Sequence, residues 1–341
     1  MSFPKLNVFR IASISIMILL FQLACNFSSQ PAVSFYYWRT TFQLSELEKE
    51  VLSANKVSKL YIRYFDIILN PKTKKPVPES PINFIDKLDK FKVVSVVYIT
   101  NAVFLNKSTS LKALAKNTID YINQVNRKHG IKSDEIQIDC DWTLSSRDRY
   151  LRFIKLIKGE TGKVISATIR LHQIKYAKQT KVPDVDYGVL MFYNMGKISS
   201  DSKNSIYDRT LSRKYLKQLK NYPLSLKIAL PIFSWGIQIR SKRVLEVINH
   251  LNVQSFEKDT NFVFEKNLVY VKSANLKFGK YFKTGDYIKI EQVSGQDLMA
   301  MIDDLSSKMK GKPEELIFFD IDSRAISRYD KSIYEKMAHR F

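Results

Sequence analysis

The stretch "EIQIDCDWT", residues 135–143, places two aspartates two positions apart in an otherwise apolar run. Successive side chains on a strand face opposite sides. As a strand, this stretch puts Gln137, Asp139, Asp141 and Thr143 on one face and Ile136, Ile138, Cys140 and Trp142 on the other. The apolar face suits a layer of helices, and the polar face suits the interior of a closed sheet. The two carboxylates fall roughly 6–7 Å apart, given the rise per residue of a strand. Like charges this close raise at least one pKa unless cations or hydrogen bonds intervene.

Working outward, strand-like and helix-like stretches alternate on both sides. "VSFYYWRTTF" (33–42), "KLYIRYFDIIL" (59–69) and "KVVSVVYITNAVF" (92–104) precede it; "KVISATIRLHQI" (163–174), "DYGVLMFYNMG" (186–196), "LSLKIALPIFSWG" (224–236) and "ELIFFDIDS" (315–323) follow. Each is rich in aromatic or β-branched residues. Between them lie helical patterns. Ser45 and Glu48 are spaced as a capping box. Apolar residues recur at Leu111, Leu114, Ile119, Ile122 and Val125, and Gly130 stops that helix. About eight strands alternating with helices predict an α/β fold, a (β/α)8 TIM barrel. Residues 241–312 exceed one crossover and read as a small α+β insertion between strands seven and eight. The barrel domain is expected over 33–341.

Bulk properties narrow the function. The chain has 341 residues, 45% of them hydrophobic, enough for a large core. Its net charge is +22, but the lysines are scattered over nearly every helix-like stretch, as on a solvated basic surface; no nucleic-acid partner is expected. No G-x-G-x-x-G, P-loop or G-x-S-x-G element occurs, and the 4 histidines lack H-E-x-x-H spacing, so neither a cofactor nor a metal is expected. The 2 cysteines, Cys25 and Cys140, exclude a disulfide framework. Cys140 reads as a small buried hydrophobe.

The N-terminus reads as an export signal over 1–24. "MSFPKLNVFR" carries Lys5 and Arg10, "IASISIMILLF" is apolar, and "QLAC" ends at Cys25. Ala24–Cys25 resembles a bacterial lipobox, from which Gln22 departs. The resemblance implies that Cys25 carries the lipid, with 25–32 as a tether, so that the protein is exported to the cell envelope and held to a membrane without spanning it, facing the periplasm. An ordinary cleaved signal peptide is the alternative.

The strand ends bring together acids, cations and aromatics. Tyr37, Arg63, Trp142, Arg170, His172, Tyr193, Asn194 and Trp235 are candidates for binding a ligand, and Asp139, Asp141, Asp320 and Asp322 for catalysis. Trp38 is a further aromatic at a strand end. Sugars suit such a lining, because aromatic faces cover their C–H surfaces while carboxylates and amides bind hydroxyls.

"IDCDWT" resembles the core of the D-x-x-D-x-D-x-E signature of family 18 glycoside hydrolases, the chitinase-like barrels. "VLMFYNMG" is similar to that family's Met-x-Tyr-Asp/Asn on strand six. "KIALPIFSWG" is similar to its Gly-x-Pro-x-Tyr-Gly on strand seven, with Ala229 and Ser234–Trp235 as departures, and "FFDIDS" sits where the last strand closes the site. The resemblance covers most of 33–341, and implies a glycan site at the C-terminal face of the barrel. It implies that Asp141 orients a sugar acetamido group and that Tyr193 binds its oxygen. The signature's first acid is replaced by Ile136, and its final glutamate, the family's general acid, by Thr143. A threonine hydroxyl cannot donate that proton. Two readings stand. One is a lipid-anchored hydrolase with Asp320 or Asp322 as a relocated acid. The other is a non-catalytic carbohydrate-binding or structural envelope lipoprotein on the same scaffold.

Overall fold

The computed structural model describes residues 30–341. Cys25 and the expected signal peptide lie outside the described residues. Eight parallel strands form the central sheet: β1 (Ala32–Tyr37), β2 (Lys59–Leu69), β3 (Lys92–Ile99), β4 (Glu135–Asp139), β5 (Val164–Arg170), β6 (Tyr187–Met191), β7 (Leu226–Pro231) and β8 (Glu315–Phe319). Each pairs with the next, and β1 pairs with both β8 and β2, so the sheet closes into a (β/α)8 barrel. A short antiparallel strand, Pro76–Glu79, extends β2 beyond the ring.

Most strands stop earlier than the alternating pattern suggests. The polar–apolar alternation runs on past β4, β5 and β7, where the chain has already turned away. Asn101–Leu105 and Leu171–Lys175 are short helices, not extensions of β3 and β5. The outer helices follow their signals closely. Ser45 and Glu48 form the capping box of α1 (Glu46–Ala54). α2 (Leu111–His129) is capped by Ser110 and ends at Gly130, whose φ of 64° is the left-handed conformation that glycine adopts without steric cost. α3 (Arg147–Glu160) and α4 (Arg209–Leu216) complete this part of the ring.

The extra sheet begins immediately after β7. Its five antiparallel strands run in the order Arg243–Asn249, Ser234–Arg240, Tyr287–Gln292, Leu268–Val271, Phe262–Glu265. They enclose a separate small core built on Phe256, Phe262, Phe282, Ile288 and Ile290. This unit thus spans 234–292, compared with the expected 241–312. The difference has a physical cause: Ser234–Arg240 leaves the barrel to pair with Tyr287–Gln292, while α5 (Gly295–Ser306) buries Leu298, Met301, Ile302 and Leu305 in the barrel's own core.

Inside the barrel, polar groups fill the lower and middle levels. At the bottom Glu315 accepts hydrogen bonds from Ser34 and from Tyr61 (3.0 Å), and pairs with Lys227 at 2.8 Å and Lys59 at 3.6 Å. Lys59 also pairs with Glu135 at 3.1 Å, and the Tyr187 hydroxyl donates to Glu135 at 2.8 Å. In the middle Tyr36 donates to Gln137 at 2.7 Å, and Gln137 to Ser166 at 3.3 Å. Burial alone would push the Glu315 carboxyl up, but Lys227 and Lys59 hold it below the usual glutamate range.

A buried charge that loses its partner is costly, on the order of 3–5 kcal/mol. Glu315→Gln should therefore lower the denaturation midpoint markedly at neutral pH. A depressed carboxyl pKa stabilises the fold above the unfolded value of about 4.3 and loses that contribution as pH falls through the folded value. The gap between wild type and variant should accordingly shrink below about pH 4. Equal stability of the two at pH 7 in chemical denaturation would disprove the role of this cluster.

Candidate functional site

With its lower levels filled, the barrel is open only above. A cavity of about 900 Å³ lies at the C-terminal ends of the strands. One wall is a continuous run of aromatic rings: Trp38 to Phe319 at 5.1 Å between centroids, Phe319 to Tyr193 at 5.7 Å, Tyr193 to Phe233 at 5.6 Å and Phe233 to Trp235 at 5.2 Å. Four aspartates, Asp66, Asp139, Asp141 and Asp320, share the cavity with Arg63, Arg170, His172 and His250.

Asp139 is the last residue of β4 and accepts a hydrogen bond from Thr168 at 2.7 Å. Burial pushes its carboxyl up to about 7; Thr168 opposes that shift and the Asp141 charge adds to it. Asp141 lies beyond the strand, exposed, and pairs with Arg170 at 3.1 Å. Arg170 also donates to the Trp142 carbonyl, which fixes the turn after β4. Asp320 follows β8 and is only 4% exposed, and its Oδ1 has no hydrogen-bond partner in the protein. Burial, and next the Asp322 charge, push it up to about 7. Tyr193 is buried beside these groups; its hydroxyl pKa is raised by burial and then by Tyr36, Asp139, Asp320 and Asp141. His172 and His250 are both lowered by burial, so they are neutral at pH 7.

Three expected site residues lie elsewhere. Tyr37 is fully buried on the helix side of β1 and donates to the Thr41 carbonyl; its neighbour Tyr36 is the one that points inward. Trp142 is buried and stacks on Tyr150 of α3, with 5.3 Å between ring centroids, as its place on the apolar face of the stretch dictates. Asp322 caps the short helix Ser323–Ile326 and pairs with Arg324 at 3.0 Å. Burial would raise Asp322, but Arg324 keeps it below the usual carboxylate range, the opposite of what a proton donor needs. Thr143, at the position of the family's acid, is exposed and bonded into the turn that opens α3.

Among the lining residues that were not expected are Asp66, Tyr98, His250 and Phe319. Asp66 is instructive. It lies three residues after Arg63, an odd spacing that puts the two on opposite faces of a regular strand. A bulge between Arg63 and Phe65 inserts one residue and reverses the phase, so both point into the mouth. There Arg63 donates twice to Asp66, at 2.7 and 2.5 Å. Tyr98 was legible from alternation with Val94 and Val96 on β3. His250 comes from the inserted sheet and had no local signal.

No family model and no curated protein matches the chain. Solved structures do. The chain is similar to an endo-β-N-acetylglucosaminidase from Cordyceps militaris, at 9% identity and TM-score 0.45, over 92% of this chain and 91% of that one. It is similar to active domain 2 of a thermostable chitinase from Pyrococcus furiosus, solved with chito-oligosaccharides, at 10% identity and TM-score 0.42, over 91% and 96%. A xylanase–α-amylase inhibitor protein in complex with trehalose matches at 10% identity and TM-score 0.45, over 92% and 98%. The barrel itself is established by the strand pairings above.

The inserted sheet is wired into the mouth. Glu291 accepts from the Trp235 indole N–H at 2.9 Å and from the Ser205 backbone N–H at 3.0 Å, and pairs with buried Lys289 at 2.7 Å. Lys289 in turn donates to the carbonyls of Asp201 and Lys203. The loop after β6 and the last aromatic of the wall are thereby held by one carboxylate.

The raised carboxyls have a cost that can be read in stability. A carboxyl with an elevated folded pKa stabilises the fold fully only below its unfolded value, about 3.9 for aspartate, and that contribution is lost as pH rises through about 7. Asp320→Asn should raise Tm by a few degrees at about pH 8 and leave it little changed at about pH 4. Calorimetry at the two pH values checks this; a variant no more stable than wild type at pH 8 rules out an unpaired buried acid.

Proposed function

We propose that the mouth of the barrel binds a glycan. The observation that carries this reading is the cavity itself, where a wall of five aromatic rings shares the lining with carboxylates, amides and guanidinium groups. A sugar chain needs both: flat apolar surfaces for its C–H faces and convergent polar groups for its hydroxyls. Asp141 and Asn194 provide polar groups at the rim, Tyr193 a ring and hydroxyl deeper in the wall, and Trp38 and Trp235 the ends of the platform.

A second reading, hydrolysis, is favoured by Asp320. It is the one residue in the cavity that combines deep burial, an unpartnered oxygen and a carboxyl pushed up to about 7, the properties of a proton donor. Asp141, exposed and paired with Arg170, would then stabilise positive charge or orient the attacking group. In the absence of an acid at Thr143, binding is the primary reading and cleavage the secondary one.

A glycan-array screen of the purified protein, with a product assay on each hit, tests both. Trp235→Ala should weaken any hit by roughly tenfold or more, given about 1.5–3 kcal/mol for covering an apolar side chain. Binding by wild type without product makes the protein a binder. Product that disappears in both Asp320→Asn and Asp141→Asn makes it an enzyme. Absence of any glycan hit sinks the proposal.

We also propose that the protein is exported and anchored through a lipid on Cys25, as "QLAC" implies. Among the described residues no helix is long and apolar enough to cross a membrane. Metabolic labelling with a palmitate analogue should mark wild type and not Cys25→Ala. Equal labelling of both would refute the anchor.

A further inference from the structure

The charges of the mouth do not balance within the protein. Asp66 is held bidentately by Arg63, and Asp141 pairs with Arg170 through one contact at 3.1 Å. Asp139 and Asp320 are left without a cation. Asp139 receives only the Thr168 hydroxyl. Asp320 Oδ1, buried in the wall of the cavity, receives nothing. The remaining basic groups nearby are already engaged or uncharged. Arg39 pairs with Glu48 at 2.8 Å and Arg324 with Asp322 at 3.0 Å. Burial lowers both His172 and His250, so neither supplies a positive charge at pH 7.

A buried carboxylate without a partner is expensive, and a ligand that supplies the missing charge recovers that cost. Among the described residues no three His, Cys, Asp or Glu side chains gather closely enough to hold a metal ion. The cavity, at about 900 Å³ and walled by aromatic rings, is instead sized for an organic cation. Resting on the glycan reading above, we infer that the glycan carries a protonated amine, a hexosamine unit with its nitrogen free and not acetylated, drawn into the cavity by the uncompensated carboxyls of Asp139 and Asp320. The surrounding protein has a net charge of +22, which repels a densely cationic polymer. The ligand that fits both facts is a mostly uncharged chain with occasional free amines. Such a chain places an ammonium among these carboxyls and its uncharged units along the aromatic wall.

The test uses the purified full chain and three β-1,4-linked tetramers in calorimetric titrations: fully N-acetylated glucosamine, the same tetramer with one unit deacetylated, and glucose. The deacetylated tetramer should bind roughly tenfold more tightly than the other two at about pH 7, as expected for a charge-assisted hydrogen bond in a partly buried site. Its affinity should rise from about pH 5.5 to about pH 7 as Asp139 and Asp320 ionise, while that of the acetylated tetramer stays flat or falls. Asp139→Asn and Asp320→Asn should each shrink the preference ratio toward one. If either variant fails to fold, the pH profile of the wild type carries the test. Equal binding of amine and acetamide probes overturns this inference and leaves the glycan reading intact. No binding of any probe, together with an empty array, overturns both.

Discussion

Glu315 sits at the closed end of the barrel with two lysines, a tyrosine and a serine directed at its carboxylate. Eight parallel strands enclose a space that side chains must fill. Here the lower part is filled by charge, through Lys59, Lys227, Glu135 and Glu315, and the middle by the relay from Tyr36 through Gln137 to Ser166. A filled base and waist mean that any ligand-sized space inside the barrel must lie at the top. The position of the cavity thus follows from the way the interior satisfies its own polar groups.

The upper level obeys a different rule. Below, each buried acid has found its cation or donor. Above, Asp139 has only the Thr168 hydroxyl and Asp320 Oδ1 has no partner at all. Such imbalance is tolerated in folded proteins mainly where function benefits from it. The surrounding architecture holds it in place: Asp320 follows Phe319, a ring of the aromatic wall, and the inserted sheet, through Glu291, keeps Trp235 at the end of that wall. An appendage that looks peripheral in the chain is therefore part of the mouth.

Much of this was legible in the residues. Alternation in "EIQIDCDWT" correctly put Gln137 and Asp139 inside and Ile136, Ile138 and Trp142 outside, and the caps at Ser45 and Gly130 stand where their chemistry demands. The less legible parts have physical reasons. Alternation has no end mark, so the strands read too long, and Tyr37 and Trp142 entered the candidate set although their phase directs them outward. A bulge in β2 has no composition signal, which hid Asp66. Asp320 and Asp322 look equivalent in "FFDIDS", yet one faces the cavity and the other caps a helix, because the strand ends at Phe319 and period-two reasoning ends with it. His250 reaches the mouth from the turn after Arg243–Asn249 of the inserted unit, a contact only tertiary structure can make.

Gln30, where the described chain begins, touches His339 of the final helix Ile333–Arg340 at the foot of β1, whereas the aromatic wall crowns the opposite end of that strand. Any upstream leash would therefore grip the protein by its heel. The open side would swing free like the bowl of a ladle, able to meet long strands sideways without the leash crossing their path.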